Sequence, residues 1–164
     1  MIATPLFPSV GQDRRRTVTI AAYQPDIAPN LGALIRLSVC MGVRLHVIEP
    51  CGFPFAPKAW ARTAMDYADL ADLVRHDGWE PFRAAVPGRI VALSAQAGTA
   101  LWDHSFAPGD TVLLGRETAG LPEAVLADCD AALRIPIDPR ARSLNIVAAA
   151  AIALGEAQRQ AVRG

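Results

Sequence analysis

The sequence predicts an α/β domain with a mostly parallel sheet flanked by helices. Three observations point there. Apolar, β-branched runs alternate with helix-like segments along nearly the whole chain, beginning with T-V-T-I-A-A-Y at residues 17–23. These runs carry no regular polar face, as strands covered on both sides require. Two of them stop at polar turns, residues 115–120 and 135–145, and the carboxyl ends of strands are where open α/β sheets bind ligands.

A length of 164 residues suits one domain. Residues 1–16 hold two prolines and then Asp13-Arg14-Arg15-Arg16, and read as a flexible leader, leaving 17–164 as the domain. After the first strand a dinucleotide enzyme would place G-x-G-x-x-G, but the chain runs Gln24-Pro25-Asp26-Ile27-Ala28-Pro29-Asn30, which disfavours a nicotinamide-binding fold. Asn30 reads as the N-cap of a helix starting at Leu31. Arg36 lies six residues on, on nearly the opposite face, although a cap at the helix mouth is within reach of a long arginine. Taken alone, an arginine in L-I-R-L is a snorkelling surface residue.

Gly42 ends that helix and residues 44–48 form the second strand. Residues 49–57 are a proline- and glycine-rich loop whose Phe53 and Phe55 read as core plugs. A helix over 58–65, a short strand over 73–75, and a helix from Asp77 to about Ala85 anchored by Trp79 and Phe82 follow. Residues 88–95 read as a central strand, and a loop with Gly98, Trp102 and His104 leads to the turn Pro108-Gly109-Asp110. The strand at 111–114 then enters the first polar turn, where Gly115 and Gly120 bracket Glu117. Gly120-Leu121-Pro122-Glu123 reads as a helix start. A strand over 131–137 enters the second turn, which packs Arg140, Arg142, Ser143 and Asn145 into six residues. Ser143 or Asn145 equally reads as the N-cap of the helix that follows.

That last helix opens with nine consecutive apolar residues, 146–154, so it has no polar face there and must be covered all round. The cover expected is a second copy of the chain, giving a two-fold homodimer; a wholly internal helix is the alternative. It is too short to cross a membrane, and no apolar signal segment opens the chain.

Sixteen basic residues balance sixteen acidic ones, so an RNA partner would have to meet a local patch. Every basic residue but Lys58 is arginine, which suits bidentate phosphate contacts, though genomic composition accounts for it equally. Cys40, Cys51 and Cys129 are odd in number without C-x-x-C spacing, as reduced thiols of a cytoplasmic protein are. His46, His76 and His104 are dispersed, and no metal site is expected.

Taken in order, Asn30-x-Gly32-x-x-x-Arg36, Leu114-Gly115-Arg116-Glu117-x-x-Gly120-Leu121-Pro122 and Ile135-Pro136-Ile137-x-Pro139-x-x-Arg142-Ser143-Leu144-Asn145 resemble the three signature motifs of the SPOUT superfamily of RNA methyltransferases. Within it the chain is similar to the small TrmL-type enzymes that methylate the ribose 2′-hydroxyl of the tRNA wobble cytidine or uridine, over roughly residues 18–160. The resemblance implies a C-terminal trefoil knot forming an S-adenosylmethionine pocket, a homodimer, and a tRNA substrate held at an exposed anticodon loop. By motif it implies cofactor contacts at Leu93, Leu114, Gly115, Glu117, Gly120, Leu121, Ile135, Ser143, Leu144 and Asn145. Arg36, Asn30, Ser143 and Asn145 become the expected catalytic residues, and Arg142, Arg140 and Arg62 the expected RNA contacts. Another tRNA position, ribosomal RNA, or a catalytically silent binding module are the alternatives. Val147, Ala148, Arg116 and Gly155 depart from the usual pattern, which bears on substrate choice more than on reaction class.

Overall fold

Alternate residues of each strand feed two different cores, because successive side chains of a strand point to opposite faces. In the computed structural model, which describes residues 18–163, Ile20, Ala22, Leu45, Val47, Val91, Val112 and Leu114 face one core. Ala21, Tyr23, Ile48, Ile90 and Leu113 face the other. Both faces are buried, which is why these strands read as continuous apolar runs.

The elements in order are β1 (Thr19–Tyr23), α1 (Ala28–Met41), β2 (Leu45–Ile48), α2 (Pro57–Ala64), a 3₁₀ segment (Met65–Leu70), β3 (Leu73–His76), α3 (Trp79–Ala85), β4 (Ile90–Leu93), β5 (Thr99–Ala100), a 3₁₀ turn (Leu101–Asp103), β6 (Thr111–Leu114), α4 (Glu123–Ala127), β7 (Ala131–Arg134) and α5 (Ile146–Arg163). They form one seven-stranded sheet in the order β3-β2-β1-β6-β4-β7-β5, and every pairing is parallel. Helices α1, α2 and α5 cover one face; α3 and α4 contribute Phe82 and Val125 to the other. From β4 the chain runs out to the edge at β5, returns past β4 to β6, and crosses β4 again to reach β7. Those two crossings bring the ends of β4, β6 and β7 side by side.

Several sequence expectations change here. The leader at 1–16 lies outside the described residues. The first helix begins at Ala28 with Ile27 at its N-cap and proline in its first turn, so Asn30 is inside the helix and does not cap it. Proline's fixed φ suits a helix start, and it set the boundary in place of the asparagine. The strands read at 88–95 and 131–137 end at Leu93 and Arg134, where the chain turns into the polar bends. The centre of the sheet is β6, with β4 beside it. The loop holding Gly98 and Trp102 contains the two-residue edge strand β5, too short for any periodicity to show. Along α5, Ala150, Ala153, Leu154 and Ala157 are buried, whereas Ala148 and Gly155 are exposed.

Candidate active site

Two glycines shape the first bend. Gly120 adopts φ 68°, and its backbone exchanges hydrogen bonds of 2.8 and 3.1 Å with Arg116. A Cβ on Gly115 would lie 2.7 Å from the carbonyl carbon of Gly120, so the bend closes only with glycine there. Together with the ends of β4 and β7, this bend encloses a cavity of about 400 Å³. Leu93, Gly115, Glu117, Gly120, Leu121, Ile135, Ser143 and Leu144, all expected cofactor residues, line it. Leu114 does not; its side chain is 2% exposed and packs in the core. Ser94, Arg116 and Thr118, which fall inside the motif loops, line it as well, as do Gln96, Leu126 and Ala149, to which no motif pointed.

Asn145, also expected to contact the cofactor, is not among the lining residues although Ser143 and Leu144 before it are, and its side chain has two other duties. Its Oδ1 accepts from the Val147 backbone N–H at 2.8 Å, capping α5, while its Nδ2 donates to Asn30 Oδ1 at 3.2 Å. The capping and functional roles therefore coexist in one side chain. Because Asn30 caps nothing, its Oδ1 is free to accept from Asn145, while its Nδ2 donates to Glu117 Oε1 at 3.4 Å. Glu117 Oε2 accepts from the Asp26 backbone N–H at 3.0 Å, and the Glu117 N–H donates to Asp26 Oδ1 at 3.2 Å. Burial pushes the Glu117 carboxyl up, with the facing Asp26 adding to the shift; the Glu117 side-chain hydrogen bond holds Asp26 below the usual carboxylate range. The sequence offered no signal for Asp26 beyond an acid inside a stiff Pro25–Pro29 loop.

Arg36 is not part of this cluster. It is exposed on α1, its Nη1 3.3 Å from Met65 Sδ and its guanidinium carbon 5.2 Å from the Tyr67 ring centroid. The reach back to Asn30 anticipated for it is not made; the 3₁₀ segment after α2 holds it instead. Arg140 is exposed and forms a bidentate pair with Asp138 at 2.8 and 3.0 Å, so much of its charge is already matched. Exposed Arg142 lines a second hollow, with Ala95, Ile135 and Ile137, that adjoins the first. Arg62 is exposed in the last turn of α2, apart from that bend. Among the described residues no group of three or more His, Cys, Asp or Glu is arranged to hold a metal, and no helix is long and apolar enough to cross a membrane.

The sequence model of the SpoU rRNA Methylase family matches residues 17–155, which contain both bends and Asn30. The chain belongs to the SpoU rRNA methylase family. A relative in this family, the tRNA (cytidine(34)-2'-O)-methyltransferase of Beijerinckia indica, is 47% identical over 86% of this chain and 90% of its own. A solved structure described as giving structural insights into the 2-OH methylation of C/U34 on tRNA superposes with a TM-score of 0.87 at 36% identity, covering 92% of this chain and 99% of that one. The SpoU methyltransferase AviRb from Streptomyces viridochromogenes, solved in complex with the cofactor AdoMet, superposes with a TM-score of 0.79 at 28% identity over 93% of this chain and 64% of that one. This SpoU-family chain is an enzyme, a methyltransferase whose parallel sheet is the fold of those structures.

Proposed function

We propose that this protein transfers a methyl group from S-adenosylmethionine to the ribose 2′-hydroxyl of the wobble cytidine or uridine in tRNA. The observation that carries it is the cavity at the ends of β4, β6 and β7, linked through its wall residue Glu117 to the Asn30–Asn145 pair, in a chain this similar to tRNA (cytidine(34)-2'-O)-methyltransferases. Cofactor pockets run from roughly 300 to 1,000 Å³ and are mostly apolar with a few placed polar groups. A volume of about 400 Å³ walled by Leu93, Leu121, Ile135 and Leu144 beside close-set glycine backbone suits the donor's nucleoside and sulfonium.

When bound, the donor supplies an electrophilic methyl group, so positioning provides much of the acceleration. The chain's task is to present the hydroxyl in line. Asn30, Ser143 and Asn145 offer donors and acceptors for it, and the interlocking amides of Asn30 and Asn145 fix their orientation. Arg36, a forked donor with no acceptor, acts as a clamp on the phosphate beside the target ribose. That phosphate or a water takes the hydroxyl proton. Arg142, with Arg140 and Arg62 as flanking charges, receives the neighbouring backbone.

The functional unit in this proposal is a homodimer built on α5. Exposed Ala148 and Gly155 are seven residues apart and so share one stripe, with half-buried Ala151 between them. The trefoil knot belongs to the same proposal, supported by the two passes of the chain across β4. An RNA substrate places the protein in the cytoplasm, in keeping with three free cysteines.

Tritiated methyl transfer from S-adenosylmethionine to bulk tRNA, followed by nuclease mapping, tests the proposal. Label at ribose 34 is expected. Label at another tRNA position or in ribosomal RNA would move the substrate; absence of incorporation by a folded, donor-binding protein would reject the activity.

A further inference from the structure

Asp26 lies outside the cavity wall yet is bound to the cofactor bend along its length. Its backbone N–H donates to Glu117 Oε2 at 3.0 Å, its Oδ1 accepts from the Glu117 N–H at 3.2 Å, and its Oδ2 accepts from Thr118 Oγ1. Arg116 Nε, a buried donor without a hydrogen-bond partner, stands 3.9 Å from the same carboxylate. The Asp26 side chain is only 11% exposed.

The loop carrying Asp26 is itself anchored. Gln24 takes a left-handed φ of 43°, with its N–H bonded to the Ile48 carbonyl at 2.8 Å, and this turns the chain across the end of β1. Gly52 then donates to the Pro25 carbonyl at 2.9 Å and sits so close that a Cβ there would be 2.8 Å from Asp26 Cβ. A non-glycine residue held at positive φ persists only where its surroundings over-determine it. Asp26 is thus fixed from the β1–β2 side, and the bend at 115–120 is fixed to it.

We propose that Asp26 is a positioning residue for the donor-binding bend, its carboxylate holding residues 116–118 and, through Glu117, setting the Asn30–Asn145 pair. This rests on the assignment of that bend to S-adenosylmethionine. Without the carboxylate, the Glu117 N–H and the Thr118 hydroxyl lose their acceptor and Arg116 loses its counter-charge. The Glu117 carboxylate keeps the Asp26 backbone N–H and Asn30 as donors, but the backbone that carries it is no longer tied to the β1–β2 side, so the bend on which Asn30 relies loosens. With these groups left without partners, loss of the side chain should weaken donor binding roughly tenfold or more.

The test uses the full-length chain and three variants: Asp26→Ala, Asp26→Asn and Thr118→Val. Calorimetry with S-adenosylhomocysteine gives affinity, amide hydrogen exchange of the cofactor-free protein reports residues 116–120, and thermal melting reports the fold. Asp26→Ala is expected to bind about tenfold more weakly and to exchange faster in the bend. Asp26→Asn, which keeps an acceptor for the Glu117 N–H, should recover affinity to within about threefold. Wild-type affinity and exchange in Asp26→Ala would overturn the proposal, as would an Asn variant no better than Ala. Should Asp26→Ala fail to fold, Thr118→Val decides: about threefold weaker binding supports the proposal and unchanged affinity overturns it. If the unaltered protein binds S-adenosylhomocysteine but methylates no tRNA, the substrate assignment fails while this proposal stands. If it does not bind, this proposal fails too.

Discussion

His46 and His76 share a 2.9 Å hydrogen bond between ring nitrogens, with Phe82 packed edge-on against both. Burial, followed by the neighbouring His76, pulls His46 from 6.5 to about 4, and burial lowers His76 as well. The folded state therefore binds fewer protons than the unfolded chain. The stability present above pH 6.5 should be lost as pH falls towards about 4, by on the order of 3 kcal/mol for His46. Urea unfolding across that range checks it; a midpoint that does not move between pH 7 and 4.5, or a His46→Leu variant with the same acid sensitivity, would contradict it. Asn145 makes a second prediction at this scale. Asn145→Ala removes both the α5 cap and the bond to Asn30, so about 1 kcal/mol of stability should go together with most of the methyl transfer. Asn145→Ser should restore the cap without the Asn30 contact, regaining melting temperature but not activity. Recovery of both would mean that Asn145 matters only as a cap.

Close packing of α1 on α2 is set by Gly32 in the second turn of α1. A Cβ there would meet the Thr63 hydroxyl and lie 2.6 Å from the Trp60 carbonyl, so the two helices touch backbone to side chain at that point. Gly32→Ala should cost 1–3 kcal/mol, roughly the scale of overpacking a tight core, although alanine is otherwise the better helix former. Chemical denaturation reads this directly, and a stabilised variant would show that the helices can part freely. Helix α1 is also where local signals misled: Asn30 has the right chemistry for a cap, but Pro29 starts the helix earlier and leaves the asparagine for Glu117 and Asn145. The strands of the core were legible because both faces are covered and their apolar runs are unbroken. The pair Thr99–Ala100 was not, since two residues carry no period.

At the scale of the molecule, α5 has one side in the core and a stripe of small residues outside it. An added Cβ at Gly155 would meet nothing within 4 Å, so within one chain that part of the stripe is open. Sedimentation should find a dimer, and Ala148→Glu, which puts a charge on the proposed seam, should shift it towards monomer and lower activity together. A monomeric, active wild-type protein would refute the seam. The two crossings over β4 make the cavity a property of the whole topology, because three strands far apart in the chain must end together before any wall exists.

Local chemistry alone determined the α/β class, the two bends and the glycines that shape the first, whereas the side chains expected to line the cavity were named by the resemblance of the motifs. The class, the bends and the glycines follow from side-chain period and backbone freedom, which act over a few residues. Tertiary structure alone decided that β4 lies between β6 and β7, that Asn30 meets Asn145 across 115 residues and Asp26 meets Glu117 across 91, and that Arg36 turns to Tyr67. Such meetings depend on strand order and helix placement, and those are selected by burying both faces of the whole sheet at once, a condition no short stretch of chain contains.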